Sequence, residues 1–180
     1  MKLFFLLYLF MSANVTLHAL PKLAGSFINK TEHVNWNWSD AKLATAVVFL
    51  STKCPCSHSH IPVLKSLVEK FPEVKWFGIH SNVDENLPET ESYFKELKPN
   101  FDVIQDPQAN LANIFKAYKT PHAYLISKEG AILYVGGVTS SALAQSAEEQ
   151  YLENAITELK LGKEISKKST RVLGCTIARK

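Results

Sequence analysis

The chain has 180 residues, of which 46% are apolar and 21% are charged, values typical of one globular domain that needs no second. The formal net charge is only +3, and lysine is scattered among aspartate and glutamate, so we expect no nucleic-acid partner. The chain contains three cysteines, Cys54, Cys56 and Cys175. An odd number leaves at least one thiol unpaired within the monomer.

The N-terminus has the pattern of a signal peptide. Met1-Lys2 is a short positive region, the run 3–11 is apolar, and Ala19 is a plausible cleavage position. The run is shorter than the roughly 18 apolar residues of a membrane span, so we expect membrane contact only through an uncleaved signal segment. Residues 1–19 are therefore predicted to be removed on export to the periplasm or the exterior, where disulfides persist.

The rest of the chain alternates between predicted strands and helices. Residues 21–40 have a weak pattern that indicates a short strand or hairpin laid on the core. Strands are then predicted at 43–50, 74–80, 101–105, 122–127 and 131–135, and helices at 57–71, at 89–97, after Asp106-Pro107 and at 141–161. This order predicts an α/β fold with parallel pairing, over 20–162, followed by a basic tail at 163–180 that contains Cys175.

Cys54 lies where the predicted strand 43–50 gives way to the helix 57–71. The first turn of a helix has backbone N–H groups without intrahelical partners and carries partial positive charge. A thiolate is stabilised there relative to the thiol, so Cys54 is a candidate nucleophile and should be the most acidic of the three thiols.

These residues resemble the thioredoxin-like superfamily, in particular the redoxin and extracytoplasmic thioredoxin branch related to the alkyl hydroperoxide reductase/thiol-specific antioxidant family. Cys54 aligns with the first cysteine of the Cys-x-x-Cys motif and Pro62 with the helix proline, whereas Ser57 stands at the second cysteine. Thr120-Pro121 stands where the family has a cis-proline facing the active cysteine. The resemblance implies a central mixed sheet flanked by helices, with an inserted helix-strand-helix segment.

The resemblance implies thiol-disulfide exchange with protein thiols, disulfides or a reductant protein. Cys54 would attack, and Thr120 and Pro121 would shape the groove for the partner chain. The residue that resolves Cys54 is left open between Cys56 and Cys175. A Cys54–Cys56 bridge closes a very small ring, and the 13 or so residues after Gly162 can span a small domain at roughly 3.3 Å each, which slightly favours Cys54–Cys175.

Two other functions remain as alternatives. Cys54, Cys56, His58 and His60 form Cys-x-Cys-x-His-x-His, which could bind Cu(I) or Zn²⁺, with His80 or His122 as a distant ligand, in a copper-chaperone role. Residues two apart on a helix point to different sides, so both histidines reach one ion only if the first turn unwinds. No cofactor is otherwise expected.

Thiol peroxidase activity is the other alternative. The resemblance implies that peroxidases of this kind need a proline and a threonine before the cysteine and an arginine from the later core. Here Thr52 precedes Cys54, but no proline stands in the strand before it and no arginine occurs before Arg171. The leading hypothesis is therefore an exported thiol-disulfide oxidoreductase.

Overall fold

The computed structural model describes residues 19–28 and 30–179, and the predicted signal segment lies almost wholly outside them. The strands are β1 Leu23–Phe27, β2 His33–Trp36, β3 Ala44–Leu50, β4 Val74–His80, β5 Asp102–Gln105, β6 Lys119–Thr120, β7 His122–Ile126, β8 Ile132–Gly136 and β9 Cys175–Thr176. The α-helices are α1 Pro55–Lys70, α2 Leu87–Leu97, α3 Asn110–Phe115 and α4 Tyr151–Lys160. Short 3-10 turns occupy Trp38–Asp40 and Ala144–Ser146.

Seven strands form one mixed sheet in the order β2-β1-β5-β4-β3-β7-β8. The central strands β3, β4 and β5 are parallel, and the hairpins β1-β2 and β7-β8 extend the sheet antiparallel at its two ends. β6 and β9 form a separate two-stranded sheet. The α/β class and the mixed sheet predicted from the sequence are confirmed, as is a hairpin within residues 21–40.

The core lies on both faces of β3, whose seven residues are all buried. Since side chains alternate along a strand, Val48 belongs to one apolar cluster and Phe49 to the other. The first cluster includes the apolar faces of α1 and α4, and the second includes α3, the N-terminal hairpin and Ile177 from the end of the chain. The sheet therefore lies between two layers, and the C-terminal end of β3 leads into α1, which belongs to the first layer.

Two predicted helices differ from the observed ones. The prediction of a helix from residue 141 is wrong, because the chain has only the 3-10 turn Ala144–Ser146 before α4 begins at Tyr151. Here Ser140 Oγ accepts hydrogen bonds from the backbone N–H groups of Glu148 and Glu149, both at 3.0 Å, and folds the segment into a loop. Local side-chain hydrogen bonds of this kind compete with helix formation.

The helix after Asp106 also begins later than predicted, at Asn110. The Asp106 carboxylate does not cap its first turn from the N-cap position. It accepts hydrogen bonds from the Ser81 hydroxyl at 2.7 Å and from Ala112 N at 3.0 Å, and so ties α3 to the loop after β4. Tyr118 lies beyond the end of this helix and is 48% exposed.

The segment predicted as a basic C-terminal tail lies against the domain. β9 pairs antiparallel with β6, and Val172 and Ile177 are buried on either side of it. A further bridge joins Ser169 to Val135 of β8. None of the helices within residues 19–28 and 30–179 has the length and apolar content required to cross a bilayer.

Candidate functional site

Cys54 caps the N-terminus of α1, as the sequence predicts. Its backbone is extended, Pro55 occupies the first helical position, and the Ser57 N–H lies 3.5 Å from the Cys54 sulfur. Ser57 supports the corner from below, because its hydroxyl accepts a hydrogen bond from Ser51 N at 3.2 Å. The side chain of Cys54 is almost completely buried, with 1% of the residue exposed.

The Thr120-Pro121 peptide bond is cis, as expected, and lies against the Cys54 corner. The Cys54 thiol donates a hydrogen bond to the Thr120 carbonyl oxygen at 3.2 Å, although 66 residues separate them in the chain. Thr120 belongs to β6, and its hydroxyl has no hydrogen-bond partner among the described residues. This hydroxyl is thus available to an ionised Cys54.

The structure brings all three cysteines together. The sulfur atoms of Cys54, Cys56 and Cys175 lie within 4.8 Å of one another. Cys56 lies in the first turn of α1, and Cys175 arrives from β9, where it stands opposite Thr120 in the ladder. All three are thiols, so both candidate resolving cysteines are within short reach of Cys54.

The three thiols differ in acidity. Burial raises the pKa of Cys54, but hydrogen bonds from Cys175, Thr120 and the Ser57 N–H outweigh it and lower the pKa from 9.0 to about 7. Burial and the neighbouring Cys54 raise the pKa of Cys56 above its usual value. The same causes raise the pKa of Cys175 to about 12. Cys54 is therefore the thiol best suited to act as a nucleophile near neutral pH.

The two histidines of the predicted metal cluster do not join the sulfurs. His60 is buried, and its Nδ1–H donates to the Cys56 carbonyl at 2.7 Å while its Nε2 accepts from the Thr139 hydroxyl at 2.9 Å. A carbonyl can only accept, which assigns the proton to Nδ1. His58 points elsewhere, with Nδ1 at 3.1 Å from the Tyr93 hydroxyl. The four predicted ligands are therefore not assembled, and Cys175 takes the place of the histidines.

The two distant histidines named as further ligands also lie outside the sulfur group. His80 Nε2 donates to Glu85 at 3.0 Å, and its Nδ1 lies 3.2 Å from the Gln105 side chain. His122 follows Pro121, is 2% exposed, and has a buried Nε2 without a partner among the described residues. Burial lowers the pKa of His122 to about 4, so the ring is neutral at physiological pH.

Sequence analysis missed a buried carboxylate behind the Cys54 corner. Glu85 accepts hydrogen bonds from the Ser51 hydroxyl at 2.5 Å, Thr52 N at 2.7 Å, Asn82 at 2.6 Å and His80, and also from the Thr52 hydroxyl. Burial opposes ionisation, but these donors outweigh it and hold the pKa of Glu85 well below its usual range. The charge on Glu85 thus holds the two residues that precede Lys53-Cys54. The polar loop that follows the buried strand β4 was the one feature of the sequence that could have indicated this carboxylate.

Comparison with known proteins agrees with this geometry. The sequence profile of the AhpC/TSA family matches residues 19–135, more than half of the chain. A search of curated proteins finds no significant match.

Among solved structures, an uncharacterised conserved protein from Geobacillus kaustophilus is 20% identical, with a TM-score of 0.81 over 91% of each chain. The thioredoxin domain of a thiol-disulfide oxidoreductase from Bacteroides vulgatus is 18% identical, with a TM-score of 0.58 over 81% of this chain and 96% of that one. A secreted Mycobacterium tuberculosis disulfide oxidoreductase homologous to Escherichia coli DsbE is 13% identical, with a TM-score of 0.53 over 62% of this chain and 80% of that one. At these identities the likeness concerns the fold, which is thioredoxin-like.

Proposed function

The chain belongs to the AhpC/TSA family, and from its thioredoxin-like fold we propose that it is a thiol-disulfide oxidoreductase acting on protein thiols or disulfides, with Cys54 as the nucleophile. The observation that carries this proposal is the meeting of three sulfurs within 4.8 Å at a helix N-terminus, with the most acidic thiol against Thr120-Pro121. A buried structural cysteine would have neither a lowered pKa nor two thiol neighbours.

The reaction follows from the acidity of the three thiols. Cys54, with a pKa lowered to about 7, supplies a thiolate that attacks one sulfur of a partner disulfide and expels the other as a thiolate. A second thiol of this chain, Cys175 or Cys56, then attacks Cys54 and releases the partner's remaining thiolate. The partner disulfide gains two electrons, and two thiols of this chain become a disulfide. The reverse sequence would oxidise a partner.

Thiol peroxidase chemistry is less well supported than disulfide exchange. Arg179 donates to the Asn113 side chain at 3.0 Å and to the Ala117 carbonyl, so its guanidinium is engaged away from the sulfurs. Arg171, the only other arginine, is exposed on the segment before β9. Neither is placed as a peroxide-binding group beside Cys54.

Export is part of the proposal and rests on the signal-peptide pattern of residues 1–19. The secreted Mycobacterium tuberculosis oxidoreductase is a structural relative with the same kind of location. An oxidising compartment suits a protein whose three thiols lie close enough to pair.

The test is turnover of a protein disulfide by the purified protein and by two single variants. With insulin as substrate and a small-molecule dithiol as reductant, we expect Cys54→Ser to reduce the rate about 100-fold or more, because no other thiol is acidic enough to replace it. Ser66→Ala, on an exposed turn of α1, is the control for mutagenesis of the same helix. Equal turnover by Cys54→Ser and the unmodified protein would contradict the proposal.

The three-sulfur group also supports a second candidate, a Cu(I) site. Three sulfurs around a trigonal ion at about 2.3 Å are separated by roughly 4 Å, a spacing that fits within the observed 4.8 Å limit. Bound Cu(I) would be held by thiolates, either as a centre for electron transfer or as cargo to be passed to another protein. In Cu(I) titration of reduced protein against a chromogenic chelator, we expect Cys175→Ser to weaken binding at least about tenfold. His60→Ala should leave the Cu(I) affinity unchanged. Weaker binding in His60→Ala than in Cys175→Ser would instead support the histidine-containing site predicted from the sequence.

A further inference from the structure

The C-terminal segment 172–179 occupies the groove beside Cys54 as an extended strand. Cys175 and Thr176 pair antiparallel with Thr120 and Lys119 of β6, and the ladder continues through a hydrogen bond from Ile177 N to the Tyr118 carbonyl at 3.1 Å. Addition of a strand to an exposed edge is a general way in which proteins bind extended peptides. The groove that sequence analysis assigned to a partner chain is therefore filled by the chain itself.

The tail is anchored on both sides of Cys175. Val172 is 3% exposed and Ile177 is 2% exposed, with Ile177 packed in the apolar cluster of Phe49 and Phe115. Beyond it, the Ala178 carbonyl accepts a hydrogen bond from Val83 N at 3.3 Å. These contacts fix which tail residue lies opposite which residue of the domain. Docking of the tail therefore determines the position of the Cys175 sulfur.

Gly174 makes the closest approach of the tail to the groove. A Cβ atom added at Gly174 would lie 2.0 Å from the Thr120 carbonyl oxygen and 2.8 Å from its carbon. Both are backbone atoms, which cannot move aside as the end of a side chain can. Only glycine therefore fits immediately before the cysteine in this groove.

The docked tail also limits access to the nucleophile. Cys54 is 1% exposed, whereas Cys56 and Cys175 are partly exposed. A partner disulfide that Cys54 attacks along β6 needs the place that Cys175 holds opposite Thr120. The tail and an extended partner segment cannot occupy this edge together.

Resting on the proposed function, we propose that residues 172–179 are a resident ligand of a cysteine-peptide groove on β6: the tail leaves to admit a partner segment, and its return resolves the mixed disulfide through Cys175. The class of segment the groove accepts is an extended strand with glycine directly before its cysteine and an aliphatic residue two positions after it, as in Gly174-Cys175-Thr176-Ile177.

The resolving step balances without a further reactant. In the mixed disulfide, Cys54 is bonded to the partner's sulfur and carries no charge, so the effect of its thiolate on the pKa of Cys175 is removed. As the tail returns, Cys175 loses its proton to solvent and the resulting thiolate attacks the Cys54 sulfur. The Cys54–Cys175 bond forms, the Cys54–partner bond breaks, and the electron pair leaves on the partner as a thiolate. Re-docking of the tail thus removes the partner segment from β6 and cleaves its covalent link in one movement.

The first experiment compares Gly174→Ala with Gly162→Ala in the full reduced chain. Both variants add one methyl group to the C-terminal region, but nothing lies within 4 Å of a Cβ at Gly162. The alkylation of Cys54 is run at a pH above its pKa and measured by mass spectrometry. We expect it to be about tenfold faster or more in Gly174→Ala, a factor that corresponds to about 1.4 kcal/mol of lost docking free energy. Gly162→Ala should react at the wild-type rate.

A competitor identifies the class of ligand. The synthetic peptide of residues 172–178, with its cysteine S-methylated, should slow Cys54 alkylation in Gly174→Ala back toward the wild-type rate. The same peptide with alanine in place of glycine should not. Equal protection by both peptides would overturn the glycine requirement, and wild-type alkylation in Gly174→Ala would overturn the docking itself.

The resolving step is tested by Cys175→Ser, which keeps the tail but removes its thiol. Against a protein disulfide, this variant should accumulate a mixed disulfide on Cys54, whereas Cys56→Ser should not. The reverse result would assign resolution to Cys56 and overturn this step, and it remains decisive even if Gly174→Ala does not fold. Fast Cys54 alkylation in Gly174→Ala without any disulfide turnover would instead contradict the proposed function and leave the docking standing.

Discussion

When Cys54 is ionised, three hydrogen-bond donors are available to its sulfur, and they oppose the effect of burial on its pKa. The Ser57 N–H belongs to the helix N-terminus, while the Thr120 and Cys175 side chains come from β6 and β9. Helix position alone, which the sequence displays, therefore accounts for only part of the lowered pKa. The remainder depends on groups that are 66 and 121 residues further along the chain.

At this scale we predict that Thr120→Val raises the pKa of Cys54. The substitution is nearly isosteric and removes a hydroxyl with no other partner among the described residues. A hydrogen bond to a charged group is worth about 1.5 to 3 kcal/mol, so we expect a rise of about one pKa unit or more from the present value. The pH dependence of Cys54 alkylation measures it.

The control for this change is Thr139→Val, which removes a buried hydroxyl that bonds His60 instead of Cys54. It should leave the alkylation midpoint of Cys54 in place. A midpoint that moves equally in both variants would show that general loosening of the site, and not the Thr120 hydroxyl, sets the acidity.

At the scale of elements, the site is assembled where β3 ends, α1 begins and β6 meets β9. The β6-β9 pair is only two residues long on each strand, so its backbone hydrogen bonds alone cannot hold the tail. Burial of Val172 and Ile177 supplies the missing stabilisation, because removing large aliphatic side chains from water is favourable. The tail thus contributes to the stability of the domain's second layer.

We therefore predict that Ile177→Ala destabilises the protein by about 2 to 4 kcal/mol, since it removes a buried side chain and leaves a cavity between the tail and Phe49. Urea unfolding at pH 7 measures the change. Leu161→Ala, at a position 63% exposed, is the matched control and should cost less than about 0.5 kcal/mol. Equal costs would mean that the tail adds little to the fold.

For the molecule as a whole, buried titratable groups make the stability of the fold depend on pH. Burial lowers the pKa of His122 to about 4 from an ordinary 6.5, and Glu85 titrates well below its ordinary 4.5. In both cases the unfolded chain takes up a proton at a higher pH than the folded chain does. Stability is therefore fully present above these ordinary values and is lost as the pH falls.

We predict a loss of about 3 kcal/mol between pH 6.5 and pH 4 from His122 alone, and a further loss below pH 4.5 from Glu85. Urea midpoints at one-unit steps from pH 7 to pH 3 would show it. His122→Phe should flatten the upper part of this curve and Glu85→Gln the lower part, with Glu91→Gln on the exposed face of α2 as control. A curve independent of pH across this range would contradict both assignments.

Much of the fold was accessible from local pattern. The buried run at β3, the strand β4 and the Cys54 corner were placed correctly, because hydrophobic periodicity and helix-start signals act over a few residues. The late helix was predicted too long, since its failure depends on the Ser140 side chain capturing two later N–H groups. The cis peptide at Thr120-Pro121 came from family resemblance and was confirmed.

The sequence by itself determined the fold class, the three thiols and which of them caps a helix, because those features depend on neighbours in the chain. It left the partners of Cys54 undecided, and it grouped two histidines with the sulfurs on spacing alone. The family resemblance placed Thr120-Pro121 against Cys54, as the structure has it. Only the tertiary structure decided that both Cys56 and Cys175 lie beside Cys54 and that His60 turns to Thr139. Contacts between residues far apart in the chain depend on how whole layers pack, and no local pattern carries that information.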